Sequence, residues 1–166
     1  MEIFVNLAVN DLPRSIDFYR ALGLSFDDRF SDENAACLVI EPGHINAMLL
    51  VKHFFSTFTL KPIVDSTVAT EVILALSTDS RTEVDAFAER AAAAGAKASN
   101  EVNDLGFMYT RSFQDPDGHL WEIFWMDSEA ALPNMTEVGN TATGSSTTGT
   151  EPANQPTPEL TGHSPS

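Results

Sequence analysis

One order of elements occurs twice along this chain, and that repetition restricts the possible folds more than any other feature of the sequence. An apolar strand at residues 3–9 precedes an amphipathic helix that begins near Asp11 and ends at Gly23, and three short strands are predicted to follow. The same order returns further along, where Asp79 and Gly95 delimit a second helix. A repeat of this kind indicates two related modules. The sequence therefore predicts an α+β protein of tandem β-α-β-β-β modules.

Composition divides the chain into segments. Module one is assigned to about residues 1–51, a connector to 52–69 and module two to about 70–126, within a domain of residues 1–133. The connector contains three phenylalanines, Phe54, Phe55 and Phe58, in a stretch of five residues. They would cover an edge of the core, form a lid or make a subunit contact. Residues 134–166 contain no aromatic residue and no Lys or Arg. That segment is predicted to be a disordered tail.

The charge of the chain argues against some partners and in favour of others. It has 24 acidic and nine basic residues, a net charge of -15 at pH 7, and such a surface repels nucleic acid and anionic membranes but favours cationic partners. The single cysteine, Cys37, lies in an apolar run and is expected to be a buried, inert thiol in a reducing compartment. With no signal-peptide pattern and no apolar run long enough to span a bilayer, a cytoplasmic protein is predicted.

A tight turn and the strand after it carry the polar residue of greatest interest. Residues 115–118, Asp-Pro-Asp-Gly, suit a turn, and the apolar strand at about 119–126 contains one carboxylate, Glu122. Burying a carboxylate is costly without a partner. Glu122 therefore faces water, faces a cavity with a partner, or is a structural acid paired with Arg111 or Asn6. His119 and its counterpart His44 lie beside turns and are expected to be hairpin residues rather than metal ligands.

Strand alternation predicts which residues would line a cavity together with that carboxylate. It places Phe4 with Asn6, Glu71 with Ile73, and Leu120 with Glu122 and Phe124. A mostly apolar wall with a few polar groups is typical of small-molecule sites. The predicted ligand-binding residues are Phe4, Asn6, Met48, Leu50, Ile73, Met108, Leu120 and Phe124.

The segments from Val9 to Tyr19 and from Asp115 to Glu122 resemble signatures of the vicinal oxygen chelate superfamily. That superfamily contains glyoxalases, extradiol dioxygenases, fosfomycin-inactivating enzymes and bleomycin resistance proteins. The resemblance covers about residues 3–126. It implies that the sheets curl around a shared cavity, commonly in a homodimer.

The resemblance also implies where a divalent metal ion would be held in the metal-using members, on four side chains. Glu122 matches the last of these positions. The two first-strand positions are Phe4 and Ile73, and the strand at 46–51 offers Met48 and other apolar residues instead of a hard donor. Oxygen and nitrogen donors are what such ions require. One glutamate does not hold a catalytic metal, but a cavity that also contained Glu71 and Asn6 would offer two carboxylates and an amide to a hard cation.

Two functions follow as hypotheses. The first is a metal-independent protein that encloses a small ligand, resembling bleomycin resistance proteins. The second is a divalent-metal-dependent enzyme resembling lactoylglutathione lyase or an extradiol dioxygenase, with Glu122 as metal ligand and catalytic residue and Glu71 sharing or taking the role of base. A dimeric protein with a vestigial cavity is a third possibility.

Overall fold

The structure of the chain, a computed structural model, describes residues 1–131. Module one forms a four-stranded sheet in the order β1-β4-β3-β2, in which β1 and β4 run parallel and the other pairs antiparallel. The predicted element order is confirmed for this module. Its elements are β1 (Ile3–Val9), α1 (Leu12–Ala21), β2 (Ser25–Asp27), β3 (Ala35–Glu41) and β4 (Ile45–Val51).

The connector opens with a short helix, α2 (Lys52–Phe55), and a 3-10 turn (Ser56–Phe58). Module two then repeats the arrangement of module one, with the strand order β5-β9-β8-β6 and β7 paired to β8. The predicted α+β class and the tandem modules are therefore confirmed. The elements of module two are β5 (Ile73–Ser77), α3 (Arg81–Ala93), β6 (Lys97–Ala98), β7 (Asn103–Asp104), β8 (Met108–Gln114) and β9 (Leu120–Met126).

Both long helices begin at side chains that satisfy free backbone N–H groups. Asp11 caps α1 by accepting a hydrogen bond from the backbone nitrogen of Arg14 at 3.0 Å, and Ser80 caps α3 by accepting one from Glu83 at 3.2 Å. The Glu83 carboxylate accepts a bond from the backbone nitrogen of Asp79 at 2.9 Å. These caps are the reason that both helices start where the sequence predicts.

Helix α1 joins the two modules because it packs against both sheets. It contacts β3 and β4 on one side. On the other side the Tyr19 ring lies edge-on to Trp121 with centroids 5.6 Å apart, and the Phe18 ring lies 6.3 Å from that of Phe113. Each of these aromatic side chains is buried. A single hydrophobic core therefore extends from module one into module two.

The first strand differs from its prediction. A strand of apolar residues on both faces is expected to be covered on both faces, but only its second half is buried, at Leu7, Ala8 and Val9, while Ile3 is 55% and Phe4 44% exposed. β1 is also an edge strand of its sheet, paired only with β4. The corresponding edge strand of the second sheet is β5, where Ile73 is 49% exposed.

Among residues 1–131, no helix is long and apolar enough to cross a bilayer.

The β8–β9 hairpin carries a buried carboxylate that binds the first module. The side chain of Asp117 is 1% exposed. It accepts hydrogen bonds from the Asn10 backbone nitrogen at 2.8 Å and side-chain amide at 2.9 Å, from Ser15 Oγ at 2.7 Å, and from Arg14 at 2.8 Å. Hydrogen bonds of this kind to an ionised acceptor are stronger than those between neutral groups. Asp117 therefore ties the hairpin of module two to the start of α1.

A second carboxylate in the same turn reaches the end of α1. Asp115 accepts a hydrogen bond from the Tyr19 hydroxyl at 2.5 Å and others from the backbone nitrogens of Asp117 and His119. Burial, together with the charge of Asp115, raises the pKa of Tyr19 well above its usual value. The hydroxyl therefore keeps its proton and remains a donor to Asp115.

The Asp117 contacts also set the acid sensitivity of the fold. Burial by itself raises the pKa of Asp117, but the hydrogen bonds from Asn10 and Ser15 and the charge of Arg14 outweigh it, so the pKa lies below its usual value. A carboxyl group with a depressed folded-state pKa stabilises the fold above its unfolded pKa of about 4. That contribution is lost as the pH falls through the folded-state pKa.

Replacing Asp117 by Asn should lower the free energy of unfolding at pH 7 by about 3 kcal/mol, because several buried donors lose a charged acceptor. The difference from the unsubstituted protein should shrink below about pH 4. Urea unfolding across this pH range measures both quantities. Asp17→Asn is the matched control, since Asp17 is exposed on α1, the helix whose Arg14 and Ser15 bind Asp117. Equal losses in the two variants, or a gap that widens in acid, would contradict the assignment.

Candidate functional site

The face of sheet two opposite α3, its open face, carries the predicted carboxylate. Strand register places Glu122 between Ala75 of β5 and Ser112 of β8. Leu120 lies beside Ile73, two residues along the same face. Ile73, Leu120, Glu122 and Phe124, which alternation placed in the cavity, share this face. Met108, predicted as a further ligand-binding residue, lies opposite Met126 on the same face.

Glu122 has no partner among the described residues. Its side chain is half-buried, and it forms no hydrogen bond or salt bridge with any residue of 1–131. The predicted structural pairing with Arg111 is wrong: Arg111 lies opposite Ile123 on the helix side of the sheet and pairs with Asp85 at 3.0 Å. The alternative pairing with Asn6 does not form either. The carboxylate is therefore available to a ligand.

The open face of sheet one is a shallow trough of about 1000 Å³. Phe4 lies opposite Asn46 on neighbouring strands, and Asn6 lies opposite Met48. Asn46 is buried, and its amide reaches Glu2 at 3.5 Å. Asn46 is not among the predicted site residues, although a polar residue within the apolar strand β4 was the available signal.

Cys37 lies on the floor of the same trough. It is buried, as predicted, and burial raises the pKa of its thiol. A protonated thiol is a weak nucleophile. The structure therefore supports a packing role for this cysteine.

The described residues do not fit a four-ligand metal centre. Phe4 and Ile73 occupy the two first-strand positions at which the resemblance implies metal ligands. The neighbours of Glu122 on its own face are Ala75 and Ser112. Within residues 1–131, no three His, Cys, Asp or Glu side chains lie close enough together to hold an ion. Hard and borderline ions need several such donors. Glu122 is thus a lone carboxylate on a largely apolar face.

Three predicted site residues come together elsewhere, in a pocket of about 240 Å³ beneath the connector. Asn6, Glu71 and Leu120 line it. Glu71 lies two residues before β5 begins, so the alternation that was used to place it beside Ile73 does not extend to it. Glu122 does not line this pocket. The connector pocket is defined by Asn6–Ala8 of β1, by Phe55, Thr59, 61–64, Ser66 and 69–72 of the connector and the approach to β5, and by Gly118–Leu120 of the hairpin.

The hairpin holds the connector over this pocket. Ser66 Oγ donates a hydrogen bond to the carbonyl oxygen of Asp117 at 2.8 Å. At Gly118, where φ is +93°, a Cβ atom would lie 2.8 Å from the backbone of Ser66 and Thr67. Only glycine fits both the backbone conformation and the space. His119 completes the contact, since its Nε2 lies 2.9 Å from the carbonyl oxygen of Ala8.

Gly118→Ala should destabilise the protein by about 2 kcal/mol and should loosen the connector, because a positive φ and a backbone clash act together. Urea unfolding measures the first effect. Faster hydrogen exchange at the amides of Val68 and Ala69, which bond to the Asp65 carbonyl, measures the second.

Gly43→Ala provides the matched control for this crowding. Gly43 also has a positive φ, of +74°, but a Cβ there would meet nothing within 4 Å. The Gly43→Ala variant should show the backbone strain without the faster hydrogen exchange at the connector. If both variants leave the exchange of Val68 and Ala69 unchanged, the hairpin does not hold the connector.

The fold and the hairpin define a class of proteins built from paired β-α-β-β-β modules. Residues 3–123 match the family described as the Glyoxalase/Bleomycin resistance protein/Dioxygenase superfamily. The chain belongs to this superfamily. No curated protein matches the chain significantly.

Solved structures with the same fold share little sequence with this chain. A hypothetical protein, SA1046, from S. aureus is 24% identical, with a TM-score of 0.64 over 75% of this chain and 93% of that one. A glyoxalase-related enzyme from Fulvimarina pelagi is 21% identical, with a TM-score of 0.64 over 75% and 87%. The fosfomycin resistance protein FosX from Listeria monocytogenes is 18% identical, with a TM-score of 0.58 over 80% and 98%. Such likenesses support the fold alone.

Proposed function

We propose that this protein binds a small molecule between the open faces of its sheets, without the four-ligand metal centre of metal-using relatives. The observation that carries the proposal is Glu122, a half-buried carboxylate without a partner in residues 1–131, on a face otherwise formed by apolar and small polar side chains. A mostly apolar surface with a few polar groups suits small-molecule recognition.

The chemistry of these faces favours a cationic ligand with apolar or aromatic parts. Glu122 supplies a negative charge, and Phe4 and Phe124 supply aromatic rings that attract cations. The net charge of -15 adds a long-range attraction. The same charge opposes nucleic acid and anionic membranes as partners, and a cytoplasmic location stays a prediction.

A second copy of the chain would enclose the ligand. The edge strands β1 and β5 present exposed apolar side chains, among them Phe4 and Ile73. Edge strands carry unpaired backbone groups that readily accept another strand, and exposed apolar surface of this kind marks an interface. The proposed assembly is a homodimer in which the open face of one protomer's first sheet meets that of its partner's second sheet.

Ile73→Lys should shift the protein from dimer to monomer, because it places a charge at the proposed interface. Sedimentation equilibrium measures the mass directly. Val102→Lys is the control, since Val102 has a similar exposure, 54% against 49% for Ile73, but lies in the loop before β7. A monomeric unsubstituted protein, or dissociation caused equally by both substitutions, would refute the proposed assembly.

Glu122→Gln should weaken binding of a cationic bleomycin-type glycopeptide by about tenfold or more, since the neutral amide keeps the shape but loses the charge. Isothermal titration calorimetry with and without EDTA provides the measurement. Glu89→Gln, at an exposed position of α3, should bind normally.

Two results would count against the metal-independent binding function. The first is unchanged binding in Glu122→Gln. The second is binding that is lost in EDTA and restored by Fe²⁺ or Mn²⁺, which would favour the metal-dependent lyase or dioxygenase instead.

No described contact joins Glu71 to Glu122, so a shared catalytic role for this pair has no support from the geometry.

A further inference from the structure

The connector pocket is a second concave site, and one chain contributes all of its walls. Strand β1, the connector and the β8–β9 hairpin each supply lining residues. Its volume of about 240 Å³ falls below the range of about 300–1,000 Å³ typical of drug-sized ligands. The pocket therefore suits a metabolite of about ten non-hydrogen atoms.

Lys61 gives this pocket a free positive charge in a strongly acidic protein. The six arginines of the chain all contact a carboxylate, a carbonyl oxygen or an aromatic ring. Lys61 makes no salt bridge within residues 1–131, and it lines the pocket. An unpaired ammonium at a concave site attracts an anionic group.

Glu71 gives the same pocket a free negative charge. Like Lys61 it is exposed and forms no salt bridge with the described residues, and the two do not pair with each other. One ligand that carries both a carboxylate and an ammonium group would complement both side chains. Because water also reaches them, each ion pair contributes modestly and the affinity should be moderate.

His119 also lines the pocket. A carbonyl oxygen only accepts hydrogen bonds, so the bond to the Ala8 carbonyl at 2.9 Å requires the proton to be on Nε2. In the neutral ring this leaves Nδ1 with a lone pair. Nδ1 is therefore the ring atom that can accept a hydrogen bond from a ligand ammonium.

The remaining walls of the connector pocket are apolar and suit an apolar part of the ligand. Phe55, Ile63, Val64 and Leu120 line the pocket, and burial of apolar groups against such side chains stabilises a complex by about 25 cal/mol per Å².

We propose that the connector pocket binds a small zwitterion of the amino acid type, with its carboxylate at Lys61, its ammonium at Glu71 and its apolar side chain under the connector. This site does not depend on the ligand proposed for the open faces.

Three related probes separate the two charges by calorimetry: L-leucine, 4-methylpentanoate, which lacks the amine, and 3-methylbutylamine, which lacks the carboxylate. L-leucine should bind at least about tenfold more tightly than either partial probe. Lys61→Ala should weaken leucine about tenfold but leave the amine unchanged, whereas Glu71→Gln should weaken leucine and the amine but leave the carboxylate unchanged.

Charge-matched controls lie outside the pocket, at Lys97→Ala in β6 and Glu101→Gln in the loop that follows it. Both should bind leucine normally. Absence of saturable binding of leucine, methionine and phenylalanine up to about 10 mM overturns the proposal. Equal binding by all variants also overturns it.

Competition distinguishes this site from the proposed function. A cationic glycopeptide bound at the open faces should not displace leucine. If it does, the connector pocket is not a separate site and the proposal is wrong. Loss of glycopeptide binding alone would refute the proposed function and leave the zwitterion site standing.

Discussion

The structure depends on two buried carboxylates in one four-residue turn. Asp117 and Asp115 lie in module two, yet the donors that satisfy them come largely from Asn10, Ser15 and Tyr19 in module one. The two sheets share no strand pairing within residues 1–131. The relative position of the modules therefore rests on this turn and on the aromatic contacts beside it. An unsatisfied charge in that core would be costly, so the arrangement is well specified.

The same turn organises both candidate sites. By holding α1 against β8 and β9, it commits one face of each sheet to the core and leaves the other face to Phe4, Ile73 and Glu122. By holding Ser66 against Gly118, it places the connector over the pocket that contains Lys61 and Glu71. One short segment thus links fold stability to both proposed binding surfaces, although each surface has its own charges and its own proposed ligand.

Local rules predicted some features well and others badly, for identifiable reasons. Alternation placed Ile73, Leu120, Glu122 and Phe124 on one face because their strands are regular there. The same rule failed for Glu71, which precedes its strand. Alternation alone did not exclude Arg111 as a partner of Glu122, but Arg111 lies on the opposite face, beside Asp85. The predicted boundary at residue 133 and the predicted tail of 134–166 lie outside the described residues.

The sequence by itself determined the elements and their order, because caps at Asp11 and Ser80, turn glycines and apolar periodicity act over a few residues. It also determined that Phe4 and Ile73 stand where a metal site would need hard donors. Only the tertiary structure decided which strands became edges, which carboxylates found partners, and that residues from β1, the connector and a hairpin line one pocket. Those outcomes depend on contacts between residues up to about a hundred positions apart, and no local pattern encodes them.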